Sequence, residues 1–565
     1  MKSINESVDL VVFEKMGVQY TWYLIFYNTS YCIYNPQKGI KSTGLLIAQE
    51  DDMISNGSGK SAKKHPLSLK TNSPVFWISA IVIIGSMIVE LFCDKTITHV
   101  FSNLGLWVSQ YTGWFFVLVV NVILFYIIFL FFSRYGKLKL GGRESQPEFN
   151  SFAWFCMIFC AGIGIGLVFY GVAEPLFHYL TPPPMGVAAK SIEAANLAMA
   201  LSFFHWGLHG WALYCLVGLG LGFFAFSKKL PLTISSVFYP IIGKKIYGPM
   251  GTAIDIFACV ATLFGLATSL GMAVSQINAG VNYILGIPIN HTVQIILVVV
   301  ITICVIISVI GGLYSGIKRL SIITIIVAFF LMTFVFITGP TTFILNAIPQ
   351  NLGNYFSLFW KMSLFTETFS QTHWQNSWTI FYWAWWITWA PFVGMFIARI
   401  SKGRTIKEFI FGVMVTPTLL AFLWFTVFGT SALYMEMFQG AALSRAMDKD
   451  ISTVIFTFFE TLRLSGISSI TGIIVAALFF ITSSNSATLV LSIMTSGGKT
   501  DPPNIQRIFW ACIQGGVAIV LMLHGGLEDL QAATLVAGLP LTVILLAMLF
   551  SLKKGLKKEY DKIYR

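Results

Sequence analysis

Long apolar runs separated by short polar breaks dominate the chain from residue 75 onward. Twelve of them are long enough to cross a hydrocarbon core about 30 Å thick. They fall at 75–92, 113–132, 151–173, 195–226, 252–284, 291–312, 319–338, 377–398, 408–434, 467–495, 506–523 and 530–551. The pattern predicts an all-α polytopic membrane protein. An N-terminal segment (1–73) precedes two transmembrane helices (74–150) and a block of five (151–340). An outside connection with an interfacial helix (341–376) leads to a second block of five (377–551) and a short basic tail (552–565).

Composition agrees with this division. A hydrophobic fraction of 56%, with 11% charged residues and a mean hydropathy of +0.76, excludes an ordinary soluble domain. The net charge of +12 is no nucleic-acid patch, because the basic residues sort by connection. With a cytoplasmic N-terminus, the inner side holds Arg134, Lys137, Lys139 and Arg143, then Lys228, Lys229, Lys244 and Lys245, then Lys318 and Arg319. Arg399, Lys402, Arg404 and Lys407 follow, then Lys499 and Arg507, and finally the basic tail. The outer side holds only Lys95, Lys190, Lys361, Arg445, Lys449 and Arg463. That bias places both termini of a multi-pass membrane protein in the cytoplasm.

The cysteines lack paired spacing; six lie in spans and read as buried free thiols. Residues 1–52 lack the basic start and cleavage site of a signal peptide. They read as an over-extended start, with Met53 as the first residue of the functional chain. The GSGKS run at 57–61 imitates a phosphate loop, but Ile54 stands where its first glycine is required.

The candidate chemistry is aromatic. Residues 378–399 pack five tryptophans and a tyrosine into one span, and Tyr382, Trp385, Trp386 and Trp389 share a helical face. An interfacial belt needs one or two rings at a helix end. Four along one face suit a permanent organic cation, which each indole attracts by roughly 0.5–2 kcal/mol. Trp206, Trp211 and Tyr214 add rings from the fourth span, where His205 and His209 read as packing histidines set among tryptophans.

Two spans are predicted to break. Gly162, Gly164 and Gly166 cost a helix roughly 1 kcal/mol each, and the stretch 389–394 contains Pro391. Paired Gly/Pro interruptions at the head of two blocks point to a midplane site between inverted repeats. Thr482 and Ser483 are adjacent hydroxyls in an apolar span. Each either bonds back to its own helix or offers a hard oxygen to Na+.

With these pieces in view, the chain resembles the betaine/choline/carnitine transporter family over about residues 73–552. The motifs that carry the likeness are AGIGIGLVFYGVAEPL from Ala161, FHWGLHGWALY from Phe204 and FYWAWWITWAPFVGMFIARISKGRT from Phe381. The resemblance implies twelve transmembrane helices in two inverted five-helix repeats, as in sodium-coupled amino-acid transporters, and a homotrimer embedded in membrane lipid. It implies a substrate box of Trp206, Trp211, Tyr214 and Trp386, with Trp385 and Trp389 lining the route. It also implies a sodium held by the carbonyls of Cys160, Ile163 and Phe479 and the hydroxyls of Thr482 and Ser483.

The cargo expected from the resemblance is an onium compatible solute, glycine betaine foremost, moved with Na+ and without any cofactor. Gly166 stands where proton-coupled choline carriers of the family have aspartate, which favours sodium. A proton-coupled choline carrier or a carnitine-type exchanger is the alternative. A second sodium would use Thr262 and Phe392, but Leu266 stands where a second threonine is usual and supplies no oxygen. Ile163 and Asn485 also depart from the common pattern, and the short tail speaks against osmosensing. A membrane enzyme would need a nucleophile with its base, or a metal cluster, and a channel would need a filter; neither motif is present.

Overall fold

The computed structural model describes residues 10–13, 22–27, 30–35, 39–45, 73–92, 96–370, 372–524 and 526–564. Met53, the 57–61 run and Cys93 lie outside the described residues. Two units are distinct, Met1–Pro66 and Leu67–Arg565.

The first unit corrects the all-α expectation for the N-terminal segment. It carries four short strands, β1 (Leu10–Phe13), β2 (Trp22–Tyr27), β3 (Ser30–Asn35) and β4 (Gly39–Leu45), paired antiparallel in chain order. Runs of Val, Ile, Tyr, Phe and Trp with polar breaks between them favour extended backbone.

The second unit is helical. Its first half comprises α1 (Ser73–Phe92), α2 (Thr96–Phe132), α3 (Ser151–Ile163), α4 (Gly166–Leu180), α5 (Ile192–Trp206), α6 (Leu208–Gly222), α7 (Pro249–Leu285), α8 (His291–Ile310) and α9 (Lys318–Thr338). After these come α10 (Thr341–Ser363), α11 (Phe381–Ile400), α12 (Thr416–Gln439), α13 (Ser465–Thr495), α14 (Asn504–His524) and α15 (Gly526–Tyr564). Among the described residues, ten helices are long and apolar enough to cross a membrane, or eleven with one bent pair taken as a single span. The remaining expected crossing falls on α14, which has 21 residues. The protein is therefore a multi-pass membrane protein.

The bent pair is α3 and α4, which meet at 60°. Gly164 sits at the joint with φ +57°, in the left-handed region that suits glycine. The break expected at Pro391 does not occur: α11 runs unbroken from Phe381 to Ile400. Proline removes one backbone hydrogen bond, but α11 is buried along nearly its whole length and packs against α6, α7 and α15.

Two further boundaries differ from expectation. Helix α2 begins at Thr96 rather than near 113, and two hydroxyls just before the expected start satisfy themselves locally. Ser109 Oγ donates to the Leu106 carbonyl at 3.0 Å and Thr112 Oγ1 to that of Val108 at 2.6 Å. Helix α15 continues through the predicted tail. Its end is tied to the body by the Lys228–Glu559 ion pair, by Arg134 4.8 Å above the Tyr560 ring and by Lys554 Nζ donating to the Pro240 carbonyl. The cysteines also divide: Cys156, Cys160, Cys215 and Cys259 are buried and free, whereas Cys304 and Cys512 are exposed.

Candidate functional site

The glycine run at the α3–α4 joint is the floor on which the aromatic residues meet. A Cβ on Gly162 would lie 2.6 Å from Cη2 of Trp211 and 3.3 Å from Tyr214. One on Gly164 would lie 2.9 Å from Cη2 of Trp389, and one on Gly166 would lie 2.4 Å from Trp206 and 2.9 Å from Trp385. On α6, Gly210 gives the same clearance to Trp386, at 2.5 Å. Each ring edge thus occupies the volume a side chain would take.

The four residues expected to form the substrate box and the two expected to line its route lie together. Ring centroids lie 5.9 Å apart for Trp206–Trp386, 6.0 Å for Trp206–Trp385, Trp211–Trp386 and Trp385–Trp389, and 4.9 Å for Tyr214–Trp386. None is more than 6% exposed, so an interfacial belt does not describe them. The indole N–H groups of Trp211, Trp385 and Trp386 are buried without an acceptor. An unmet buried donor costs about 1–3 kcal/mol, so the box combines ring faces with donors that a carboxylate can satisfy.

Beside it, α3 brings Cys160 and Ile163 against Phe479, Thr482 and Ser483 of α13; all five are at most 2% exposed. Ser483 Oγ donates to the Cys160 carbonyl at 2.9 Å, across the two helices. Thr482 Oγ1 lies 2.9 Å from the carbonyls of Leu478 and Phe479, the local bond a helical hydroxyl usually makes. Both hydroxyls keep lone pairs for a cation, and this all-oxygen donor set suits Na+. At the other position, the Thr262 hydroxyl is buried without a partner. Phe392 contacts Trp389 at 5.1 Å, and the side chain of Leu266 is buried and offers no ligand. Asn485 donates to Ser308 Oγ, away from these oxygens.

Sequence reasoning missed the polar cluster behind the box. His205 does not face tryptophans alone: its Nδ1 lies 2.8 Å from Oε1 of Glu174 and its Nε2 3.1 Å from Thr379 Oγ1. His178 Nε2 lies 3.4 Å from the same Oε1. Trp206 Nε1 donates to Oε2 at 2.7 Å, and the Tyr382 hydroxyl donates to that oxygen as well. Glu174, His178 and His205 are fully buried. Their ligand atoms lie within 4.8 Å of one another, near enough to share a metal ion, yet the four donors account for both carboxylate oxygens without one. The i, i+4 spacing of Glu174 and His178 on one helix was the available signal; the partner on α5 was not legible. His209 fits its packing role, bonding Ser363 Oγ at 3.2 Å. Asp255 is likewise structural, accepting from the amide and hydroxyl of Ser235.

Residues 74–561 match the betaine/carnitine/choline transporter family. The chain belongs to that family. It is 42% identical over 497 residues to the glycine betaine transporter OpuD of Bacillus subtilis, covering 88% of this chain and 96% of that one. A glycine betaine transporter of Acinetobacter baylyi is 41% identical, over 87% of this chain and 74% of its own. A glycine betaine/proline/choline transporter of Vibrio parahaemolyticus is 40% identical, over 92% of this chain and 97% of its own. Members of this family are transporters, not enzymes.

Proposed function

We propose that this protein imports a quaternary-ammonium compatible solute, glycine betaine foremost, together with Na+ by alternating access across the bacterial inner membrane. The observation that carries the reading is the convergence of six buried rings, five of them on the α3–α4 glycine joint and Trp386 on Gly210 of α6. Their faces bind a trimethylammonium group through cation–π attraction, and the unpaired indole N–H groups of Trp211, Trp385 and Trp386 receive the substrate carboxylate. Trp206, Trp211, Tyr214 and Trp386 form the box, and Trp385 and Trp389 line the approach. Relatives named for glycine betaine support this cargo.

In this reading the chain crosses the membrane twelve times, in two inverted five-helix repeats, with both termini cytoplasmic, and assembles as a trimer. One Na+ binds among Cys160, Ile163, Phe479, Thr482 and Ser483. A second Na+ would use Thr262 and Phe392, where Leu266 supplies no further oxygen. A single charge moved through 100 mV supplies about 2.3 kcal/mol plus the concentration term.

The deciding experiment is uptake of radiolabelled glycine betaine into proteoliposomes under an inward Na+ gradient or an inward H+ gradient alone. Accumulation driven by Na+ is expected. Uptake driven only by H+, or seen only with choline, overturns the coupling and substrate assignment in favour of a proton-coupled choline carrier.

A further inference from the structure

One indole of the site is tied differently from the others. The N–H groups of Trp211, Trp385 and Trp386 are buried without an acceptor, and that of Trp206 meets Glu174. Trp389 instead donates to the Gly265 carbonyl of α7 at 2.9 Å. Its N–H is already committed, so it is no donor for a substrate carboxylate. The opposite, six-membered edge of the same ring rests on the α3–α4 joint. A Cβ on Gly164 would lie 2.9 Å from Cη2 of Trp389 and 3.1 Å from Ser483 Oγ.

That second distance brings two sites to one point. Gly164 is bounded by a ring of the substrate route and by a hydroxyl of the proposed sodium site. Ser483 Oγ donates at 2.9 Å to the carbonyl of Cys160, which precedes Gly164 by one helical turn on α3. When both oxygens turn to a cation, the ion replaces that bond as the tie between α3 and α13. It then sets where the end of α3 lies.

Neither edge of the Trp389 ring has slack. Gly164 caps α3 at φ +57°, and any side chain there would collide with the ring. At the other edge, a Cβ on Gly265 would lie 2.8 Å from Cδ1 of Trp389 and 3.0 Å from Thr388 Oγ1. The ring is 3% exposed. A close-packed interior transmits strain, so a shift of the joint reaches α7 through this indole.

We infer that Trp389 is the positioning residue that couples sodium to substrate. It is a strut from the joint at Gly164, beside Ser483, to the Gly265 carbonyl on α7. Ion binding and closure of the substrate route thereby become one movement. Removing the strut leaves the four rings of the box and the five sodium ligands in place, but loosens the hold of one ligand upon the other.

The inference rests on the sodium reading, and the test separates the two. Equilibrium binding of radiolabelled glycine betaine to the purified full-length protein is measured at saturating Na+ and with K+ in its place. The parent protein is compared with Trp389→Phe, Gly265→Ala and Trp386→Leu. Sodium is expected to tighten betaine binding to the parent about tenfold or more, within the usual range of coupling between two sites. Trp389→Phe lacks the N–H and is too short to span both contacts, and Gly265→Ala pushes the ring off α7. In both, the ratio is expected to fall to about threefold or less, and the dependence of half-saturating Na+ on betaine shrinks by the same factor. Trp386→Leu weakens binding in both salts and keeps the parent ratio. A parent ratio retained in Trp389→Phe and Gly265→Ala overturns the inference and leaves Trp389 a lining residue. An equal fall of the ratio in Trp386→Leu overturns it too, because the coupling then belongs to the box as a whole. Equal parent affinity in Na+ and K+ overturns the sodium reading itself, and the strut with it. Should Trp389→Phe not fold, Gly265→Ala decides in the same way.

Discussion

Gly166 and Trp206 are in steric register: a single added methyl on the glycine would sit 2.4 Å from the ring carbon Cη2. Ordinary carbon contacts begin near 3.5 Å, and Trp206 has little room to retreat, because its other edge is hydrogen-bonded to Glu174 and it is 2% exposed. Gly166→Ala is therefore expected to raise the KM for betaine at least tenfold with normal membrane levels. An unchanged KM at equal expression would show that the ring moves freely.

Trp386 touches Trp206, Trp211 and Tyr214 through its ring, and its indole N–H has no acceptor. Trp386→Leu keeps an apolar side chain while deleting the π face. Losing one cation–π partner worth roughly 0.5–2 kcal/mol weakens apparent affinity by about 2- to 30-fold. Uptake kinetics on membranes matched for protein content provide the check.

Ser483 bonds across to Cys160 rather than to its own helix. The double variant Thr482→Ala with Ser483→Ala removes both hydroxyl oxygens and leaves the carbonyls in place. The Na+ concentration for half-maximal uptake is expected to rise about tenfold or more, with maximal rate at saturating Na+ less affected. A Na+ dependence identical to the parent's would move the ion elsewhere.

At the base of α3, Glu148 accepts from Arg399 at 2.8 Å and from the Tyr314 hydroxyl. Partial burial alone would raise this carboxyl, but the two hydrogen bonds and the nearby cations outweigh it and hold it below its ordinary 4.5. A lowered folded-state value means the stabilisation is present above pH 4.5 and is lost as pH falls through the folded value. The pair is partly exposed, so the contribution is under about 1 kcal/mol. Thermal unfolding of the purified protein from pH 7 to pH 4 is expected to show a steeper loss for the parent than for Glu148→Gln; parallel curves would exclude this ion pair as a contributor.

What was legible in the sequence is what periodicity and crowding record. The face shared by Trp385, Trp386 and Trp389 follows from spacing alone, and the alternate glycines at 162, 164 and 166 announced a joint that bends 60°. Pro391 misled because its effect depends on burial, which no local pattern reports. The start of α2 was missed partly because Ser109 and Thr112 turn their hydroxyls back on the helix and hide their polarity. The Glu174–His205 contact joins positions 31 apart on separate helices, a relationship that only packing creates.

The seating of ring edges in glycine notches bears on how such a protein changes its diet over generations. A tooth and its gap must be recut together: enlarging Gly166 alone jams Trp206, and trimming Trp206 alone opens a void and frees Glu174 from a donor. New cargo preferences therefore arise through paired substitutions on different helices, and a scan of single replacements across this site will find losses where a library of coupled pairs finds gains.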